Sequence, residues 1–164
     1  MRPALLVIDM QNEFFNRTQA CDDSLKSAIA NINAAIDLFR ERHLPVVAIQ
    51  HKSKYLVPGK SGFEVHESVK LKPQDIHIVK TYRNSFKKTE LAEKLRELEV
   101  DTVVVTGYSA EHCVLSTYRG AQNVDFTPLM LKGSLASKSA EHIKSVEDIT
   151  ETISYSVLRK LLQG

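Results

Sequence analysis

Three residues of types that act together in nucleophilic catalysis each follow a short apolar run of the sequence. Asp9 ends the first run, Lys80 ends a run in the middle of the chain, and Cys113 follows a later run and a turn at Gly107. A thiolate attacks a carbonyl carbon, and a carboxylate can take the thiol proton and pass it to a departing amine. An ammonium group nearby stabilises both anions. The three residues are therefore candidates for the catalytic residues of a hydrolase that cleaves a C–N bond.

Cys113 is expected in the first turn of a helix, where free backbone N–H groups and the helix dipole favour an anion. This position, together with Lys80, predicts a thiol pKa below the free value of about 8.5. The backbone N–H groups from Ser109 to Cys113 are candidates for an oxyanion hole. Each residue also has a structural alternative: Asp9 caps a turn, Lys80 leads a charged surface loop, and Cys113 packs a helix against a sheet.

Short apolar runs rich in β-branched residues alternate with longer amphipathic segments. The runs predict strands at Ala4–Asp9, Pro45–Gln50, Ile76–Val79 and Thr102–Thr106, and a weaker strand at Leu129–Leu131. Helical spacing of apolar residues predicts helices at Ser24–Arg42, Thr89–Leu98, Cys113–Gln122 and Ile153–Leu162. Strands that are apolar on both faces are typical of a parallel sheet covered by helices on both sides. The sequence therefore predicts a three-layer α/β/α sandwich with a mainly parallel sheet, in a single domain over residues 1–164.

The segment from His51 to Asp75 is long and irregular and contains several prolines and glycines. A loop of this length in a compact domain usually forms part of a site or covers one. In open α/β sheets, sites form at the carboxyl ends of the strands, near the point where the strand order reverses. We therefore expect the candidate catalytic residues to meet at one edge of the sheet.

Composition excludes several classes of protein. The chain has 164 residues and a net charge of +2, which gives no case for a nucleic-acid partner. No stretch is long enough to span a bilayer, and the apolar run from Ala4 to Ile8 is too short for a signal peptide. Cys21 and Cys113 lie in unlike contexts, so we expect a cytoplasmic protein with free thiols, although the sequence leaves a disulfide open.

Two further classes of protein are excluded by missing motifs. The first strand is not followed by the glycine-rich turn of a nucleotide-binding fold. The chain also lacks the Cys-x-x-Cys motif of a thioredoxin-like redox protein.

Four groups of residues combine into a family pattern. They are Val7–Phe14, Pro58-Gly59 with Gly62–His66, Lys80 with Ser85-Phe86, and Gly107 with Cys113, Val114 and Thr117. With them, the sequence resembles the isochorismatase-like cysteine hydrolases, the superfamily of nicotinamidases and N-carbamoylsarcosine amidohydrolases. The resemblance runs nearly end to end. It implies a Rossmann-like isochorismatase-like hydrolase fold and a catalytic triad formed by Asp9, Lys80 and Cys113.

The resemblance also implies further features of the site. A cis peptide bond is expected between Tyr108 and Ser109, and the N–H groups of Ser109 and Cys113 are expected to form the oxyanion hole. Phe14 matches an aromatic residue that lines the substrate pocket in the family. The other candidate substrate-binding residues are Gln50, His51, Tyr82, Arg83, Tyr108 and His112. The Arg83 guanidinium either holds a substrate carboxylate or lies in solvent.

The sequence departs from the metal-dependent members of the family. Nicotinamidases bind a divalent ion beside the triad through an Asp-x-His pair and a further histidine. Here His51-Lys52-Ser53 replaces the pair, and Tyr55 falls near the later histidine. His51 and His66 without a carboxylate at the right spacing make a poor metal site. We therefore expect no metal ion and no other cofactor.

These observations predict a cysteine-dependent hydrolase of a small amide or ureido C–N bond that forms a thioester and uses no metal. Two alternatives stay open. One is a catalytically silent binding or interaction protein with this fold, and the other is a nicotinamidase with an atypical metal site. Since relatives are commonly homo-oligomers, we expect a homo-oligomer with a small-molecule amide or ureido substrate as its partner, and neither nucleic acid nor a membrane.

Overall fold

Six apolar segments form one parallel β-sheet in the computed structural model, which describes residues 1–164. The strands are β1 (Pro3–Ile8), β2 (Val46–His51), β3 (Ile76–Lys80), β4 (Thr102–Tyr108), β5 (Thr127–Ala136) and β6 (Thr152–Ile153). Their order across the sheet is β3-β2-β1-β4-β5-β6, and every pair is parallel. The strand order therefore reverses between β1 and β4, and a site is expected at the carboxyl ends of these two strands.

Five α-helices cover the two faces of the sheet. They are α1 (Gln19–Glu41), α2 (Leu91–Glu97), α3 (Leu115–Asn123), α4 (Ala140–Asp148) and α5 (Tyr155–Gln163). Leu5 and Val7 of β1 pack with α1 and α5 on one face, whereas Leu6 and Ile8 pack with α2, α3 and α4 on the other. Neighbouring residues of a strand point to opposite faces, so β1 contributes to both cores. The predicted three-layer α/β/α sandwich is confirmed.

The bounds of all four predicted helices differ from the prediction, and for two of them the local reason is clear. The first helix begins at Gln19, because the side chain of Thr18 caps it by accepting a hydrogen bond from the Cys21 N–H at 3.1 Å. The helix expected from Cys113 begins at Leu115, because the preceding segment Ala110–Val114 forms a π-helical turn.

The last third of the chain differs more. The strand expected at Leu129–Leu131 extends over all of β5, and exposed residues Lys132 and Gly133 interrupt its apolar pattern. Helix α4 and strand β6 were not predicted. Helix α4 buries only Val146, and β6 has two residues, so neither leaves a clear periodic signal in the sequence.

Gly107 allows β4 to approach the end of β1 closely. Its φ of 117° belongs to a conformation that favours glycine, and a Cβ atom there would lie 2.1 Å from the carbonyl oxygen of Ile8. The close approach brings the residues that follow Ile8 next to the turn that begins after Tyr108.

The long segment between β2 and β3 is fixed to the end of β1 by hydrogen bonds. Gln11 Nε2 donates to the carbonyl oxygens of His51 and Phe63, each at 2.9 Å. Gln11 Oε1 accepts the His51 N–H at 2.9 Å, and Asn12 Nδ2 donates to Ser61 O at 2.8 Å. These contacts hold the loop at the edge of the sheet where the candidate residues lie. None of the five helices has the length and apolar character needed to cross a membrane.

Candidate active site

Asp9, Lys80 and Cys113 meet at the carboxyl edge of the sheet. Lys80 Nζ lies 3.1 Å from Asp9 Oδ2 and 3.3 Å from Cys113 Sγ. The Lys80 side chain is fully buried, Asp9 is 2% exposed, and Cys113 is partly exposed. Lys80 belongs to β3, two strands away from β1, and its long flexible side chain spans that distance. Sequence reasoning therefore identified three side chains that the structure brings into direct contact.

His51 makes a third contact with the same ammonium group. It is the last residue of β2 and is paired in register with Lys80 of β3. Its Nδ1 atom lies 3.0 Å from Lys80 Nζ. Burial lowers the pKa of His51, the positive charge of Lys80 lowers it further, and Asp9 opposes both. His51 is therefore neutral beside the ammonium group at neutral pH.

The thiol of Cys113 is protonated in the resting site. Burial raises its pKa, the negative charge of Asp9 raises it further, and the two outweigh Lys80 to give a pKa of about 12. The expectation of a lowered thiol pKa is therefore wrong. Burial beside a carboxylate outweighs the effect of the single ammonium group, and Cys113 lies in the π-helical turn before α3 rather than in the first turn of that helix.

Asp9 is suited to accept the thiol proton. Burial raises its pKa, while the charge of Lys80 and the contacts with Cys113 and Lys80 lower it in part. Asp9 Oδ2 accepts a hydrogen bond from Lys80, whereas Asp9 Oδ1 is buried without a partner. A carboxylate with a raised pKa and a free oxygen beside a neutral thiol can act as a base when the sulfur attacks.

The raised thiol pKa predicts how alkylation of Cys113 depends on pH. The rate constant for iodoacetamide is expected to rise about tenfold per pH unit from neutral pH to about pH 10 without levelling off, because only the thiolate reacts. Mass spectrometry of the Cys113 peptide measures this rate, and the buried thiol of Cys21 serves as an internal comparison. A rate that levels off below about pH 8 would contradict the raised pKa.

The turn between β4 and Cys113 carries backbone N–H groups that can face a substrate. The peptide bond between Tyr108 and Ser109 is cis. Ser109 O accepts the N–H groups of His112 at 3.0 Å and Val114 at 3.2 Å, but not that of Cys113. The Ser109 N–H donates to no backbone carbonyl. The N–H groups of Ser109 and Cys113 thus remain candidates for the oxyanion hole.

A cavity of about 310 Å³ opens onto the thiol and the carboxyl group. Its lining residues are Asp9, Phe14, Arg17, His51, Leu56, Arg83, Tyr108, Ser109, Glu111, His112, Cys113 and Lys138. It thus contains Phe14, His51, Arg83, Tyr108 and His112 from the predicted substrate-binding set. The rings of Phe14 and Tyr108 pack together with centroids 4.8 Å apart and form its aromatic wall.

Two other predicted substrate-binding residues, Gln50 and Tyr82, do not line this cavity. Gln50 is buried, and its Nε2 donates to Phe63 O at 3.0 Å, so that it holds the loop rather than a ligand. The ring of Tyr82 lies beneath the ammonium groups of Lys87 and Lys88, at 4.2 and 5.7 Å from its centroid. Both side chains therefore make contacts within the protein instead of lining the cavity, and the prediction that they bind the substrate is not supported.

Sequence reasoning missed several charged residues of the cavity: Arg17, Glu111 and Lys138. Burial raises the pKa of Glu111, but hydrogen bonds from its own backbone N–H and from Ser137 and Ser109 outweigh it and hold the pKa below its usual range. Ser137 Oγ donates to Glu111 Oε2 at 2.8 Å. In the sequence, the position of Glu111 two residues before Cys113 was the feature that could have identified it as a residue of the site.

A divalent metal ion does not fit this site. An oxygen of Asp9, a ring nitrogen of His51 and the sulfur of Cys113 lie within 4.8 Å of one another, a spacing that suits metal ligands. However, Lys80 Nζ already lies among them, within 3.3 Å of an atom of each residue. Its positive charge would repel a metal ion at that position.

Comparison with known proteins gives a consistent set of similarities. The family model described as the isochorismatase domain matches residues 3–152. The chain is 33% identical to the isochorismatase family protein YrdC of Bacillus subtilis over 140 residues, which cover 83% of this chain and 74% of that protein.

Two solved structures extend this similarity to the fold. An isochorismatase-like hydrolase from Alkaliphilus metalliredigens is 25% identical, with a TM-score of 0.88 over 98% of this chain and 99% of that chain. The N-carbamoylsarcosine amidase from Thermoplasma acidophilum is also 25% identical, with a TM-score of 0.81 over 94% of this chain and 95% of that chain.

Proposed function

The chain belongs to the isochorismatase family, and we propose that it is a metal-independent cysteine hydrolase that cleaves the C–N bond of a small amide or ureido compound. One observation carries this proposal. The buried Lys80 ammonium lies between the Asp9 carboxylate and the Cys113 thiol, and the thiol and carboxylate both line a cavity. A base, a nucleophile and a fixed cation thus adjoin a space for a substrate.

The first half of the reaction forms a thioester. As Cys113 Sγ bonds to the substrate carbonyl carbon, the thiol proton passes to Asp9, because the free thiol ionises too rarely at neutral pH to react first. The carbonyl oxygen becomes an oxyanion that the Ser109 and Cys113 N–H groups can bind. The tetrahedral intermediate collapses as Asp9 returns the proton to the substrate nitrogen, the C–N bond breaks, and ammonia or an amine leaves.

The second half hydrolyses the thioester. Water attacks the acyl carbon while Asp9 takes a proton from it, and the C–S bond of the second tetrahedral intermediate breaks. Asp9 then returns the proton to the sulfur, which restores the neutral thiol. Lys80 donates hydrogen bonds to Asp9 and Cys113, and it stabilises whichever of the two is negative at each step.

The cavity supports a small, polar substrate. Its volume of about 310 Å³ lies at the lower end of the range for small-molecule sites. Arg83 and Lys138 at the cavity make no ion pair within the chain, and the Arg83 guanidinium can bind a substrate carboxylate with two hydrogen bonds. The N-carbamoylsarcosine amidase among the structural neighbours is consistent with a ureido acid as substrate.

Ammonia release from a panel of small primary amides and ureido acids, including nicotinamide, tests the proposed function. We expect turnover of at least one compound, with a ureido acid preferred over nicotinamide, and the same rate after treatment with EDTA. Loss of activity in EDTA that a divalent ion restores would contradict metal independence. No turnover of any compound by a correctly folded preparation would favour the catalytically silent binding protein instead.

A further inference from the structure

The ammonium group of Lys80 is surrounded by one acceptor for each of its three protons. Its Nζ atom lies 3.1 Å from Asp9 Oδ2, 3.3 Å from Cys113 Sγ and 3.0 Å from His51 Nδ1. The three acceptors come from three segments of the chain, namely the end of β1, the turn after β4 and the end of β2. Since Lys80 is fully buried, it has no water to replace a missing partner. His51 is thus part of the shell that fixes the ammonium group.

This contact determines where His51 carries its proton. A lysine ammonium group only donates hydrogen bonds, so the ring nitrogen that faces it has to be an acceptor. Nδ1 therefore carries no proton, and a neutral imidazole then carries its proton on Nε2. An imidazolium would instead place a second positive charge and a second donor against Lys80 Nζ.

The Nε2 atom of His51 lies on the opposite edge of the ring and has no partner in the protein. No hydrogen bond to it exists, and the only side-chain polar atom that is buried without a partner is Asp9 Oδ1. His51 Nε2 is therefore accessible, and His51 lines the cavity that contains Cys113. The neutral ring therefore offers an N–H donor that no group of the protein uses.

We propose that His51 has two roles: Nδ1 positions the Lys80 ammonium between Asp9 and Cys113, and Nε2–H donates a hydrogen bond to an acceptor oxygen of the substrate. The substrate class that follows is one with a second oxygen acceptor near the scissile bond, such as a ureido acid or a dicarboxylic acid monoamide. The substrate role rests on the proposed function, whereas the positioning role and the tautomer do not. The groups that face His51 are Lys80, Asp9 and Cys113, and the arrangement requires the neutral ring.

The tautomer of His51 is directly measurable by NMR. Long-range ¹H–¹⁵N spectra of protein labelled at histidine nitrogens distinguish Nδ1–H, Nε2–H and imidazolium forms. The signal that disappears in His51→Gln identifies the residue among the six histidines. We expect the Nε2–H form at neutral pH and still at about pH 6, where a free imidazole is mostly charged. An Nδ1–H form or an imidazolium at neutral pH would overturn the proposal, whether or not the protein is an active enzyme.

Two substitutions of His51 separate its roles kinetically. In His51→Asn, the amide oxygen can take the place of Nδ1 and accept a hydrogen bond from Lys80 Nζ, but the Nε2–H donor is lost. We expect kcat within about 3-fold of the original and KM raised about 10-fold, the effect of one lost hydrogen bond. In His51→Leu both contacts are lost, and we expect kcat to fall by about 10²-fold because Lys80 is no longer held.

His77→Asn is the matched control, because His77 is exposed on β3, does not line the cavity that contains Cys113, and has its ring hydrogen-bonded to Lys72 O. It is expected to leave both kinetic constants unchanged. Asn and Leu variants of His51 that both behave like this control would overturn the proposal. Equal losses of kcat in the two variants would overturn the division of roles between Nδ1 and Nε2.

Discussion

Cys113→Ala is expected to lower kcat by at least about 10⁴-fold, because no other group at the site can form the covalent intermediate. The fold is expected to persist. The thiol is partly exposed, and Lys80 keeps two of its three acceptors, Asp9 and His51. Initial rates of ammonia release on the best compound of the panel measure the loss, and thermal unfolding of the same preparation checks the fold.

Cys21→Ala is the matched control for this variant. Cys21 is also a free cysteine, but it is buried at the start of α1, with its sulfur 3.6 Å from Phe14 O and outside the cavity. It is expected to retain activity. Acid quenching during turnover is expected to trap an acyl group on the Cys113 peptide in the original protein. Turnover by Cys113→Ala near the original rate, or an acyl group elsewhere, would rule out the thioester mechanism.

The sequence predicts the main elements of the site because parallel strands align their carboxyl ends. Asp9, Lys80 and Cys113 follow three such strands, and the central strands β1 and β4 are recognisable from their continuous apolar runs. The strand order places Asp9 and the turn before Cys113 at the point of reversal, where a site is expected. Their convergence could therefore be predicted without coordinates.

The electrostatics of the site could not be predicted in this way. The thiol pKa depends on how deeply Cys113 and Asp9 are buried together, and the sequence carries no direct measure of that burial. The contact between His51 and Lys80 depends on the register of β2 against β3, which pattern does not determine. Gln50 was a candidate substrate-binding residue, but it neighbours His51 on β2, and successive residues of a strand point to opposite faces.

Lys80→Met is expected to abolish turnover and to lower the free energy of unfolding by about 3–5 kcal/mol. Methionine fills most of the space of the fully buried side chain, so the change removes the charge with little loss of packing. The Asp9 carboxylate then remains buried with no cation beside it, and the thiol has lost the group that stabilises its anion. Urea unfolding near neutral pH measures the stability, and the panel substrate measures the activity.

The double variant Asp9→Asn/Lys80→Met distinguishes this explanation from a general packing defect. Without the carboxylate, no unpaired charge is left in the site, so the free energy of unfolding is expected to recover by about 2 kcal/mol or more relative to Lys80→Met. Activity is expected to stay absent, because the double variant has no base for the thiol proton. A double variant as unstable as the sum of the two single variants would show that Asp9 and Lys80 are not coupled. That result would contradict the proposal that the ion pair of Asp9 and Lys80 stabilises the fold and supports catalysis.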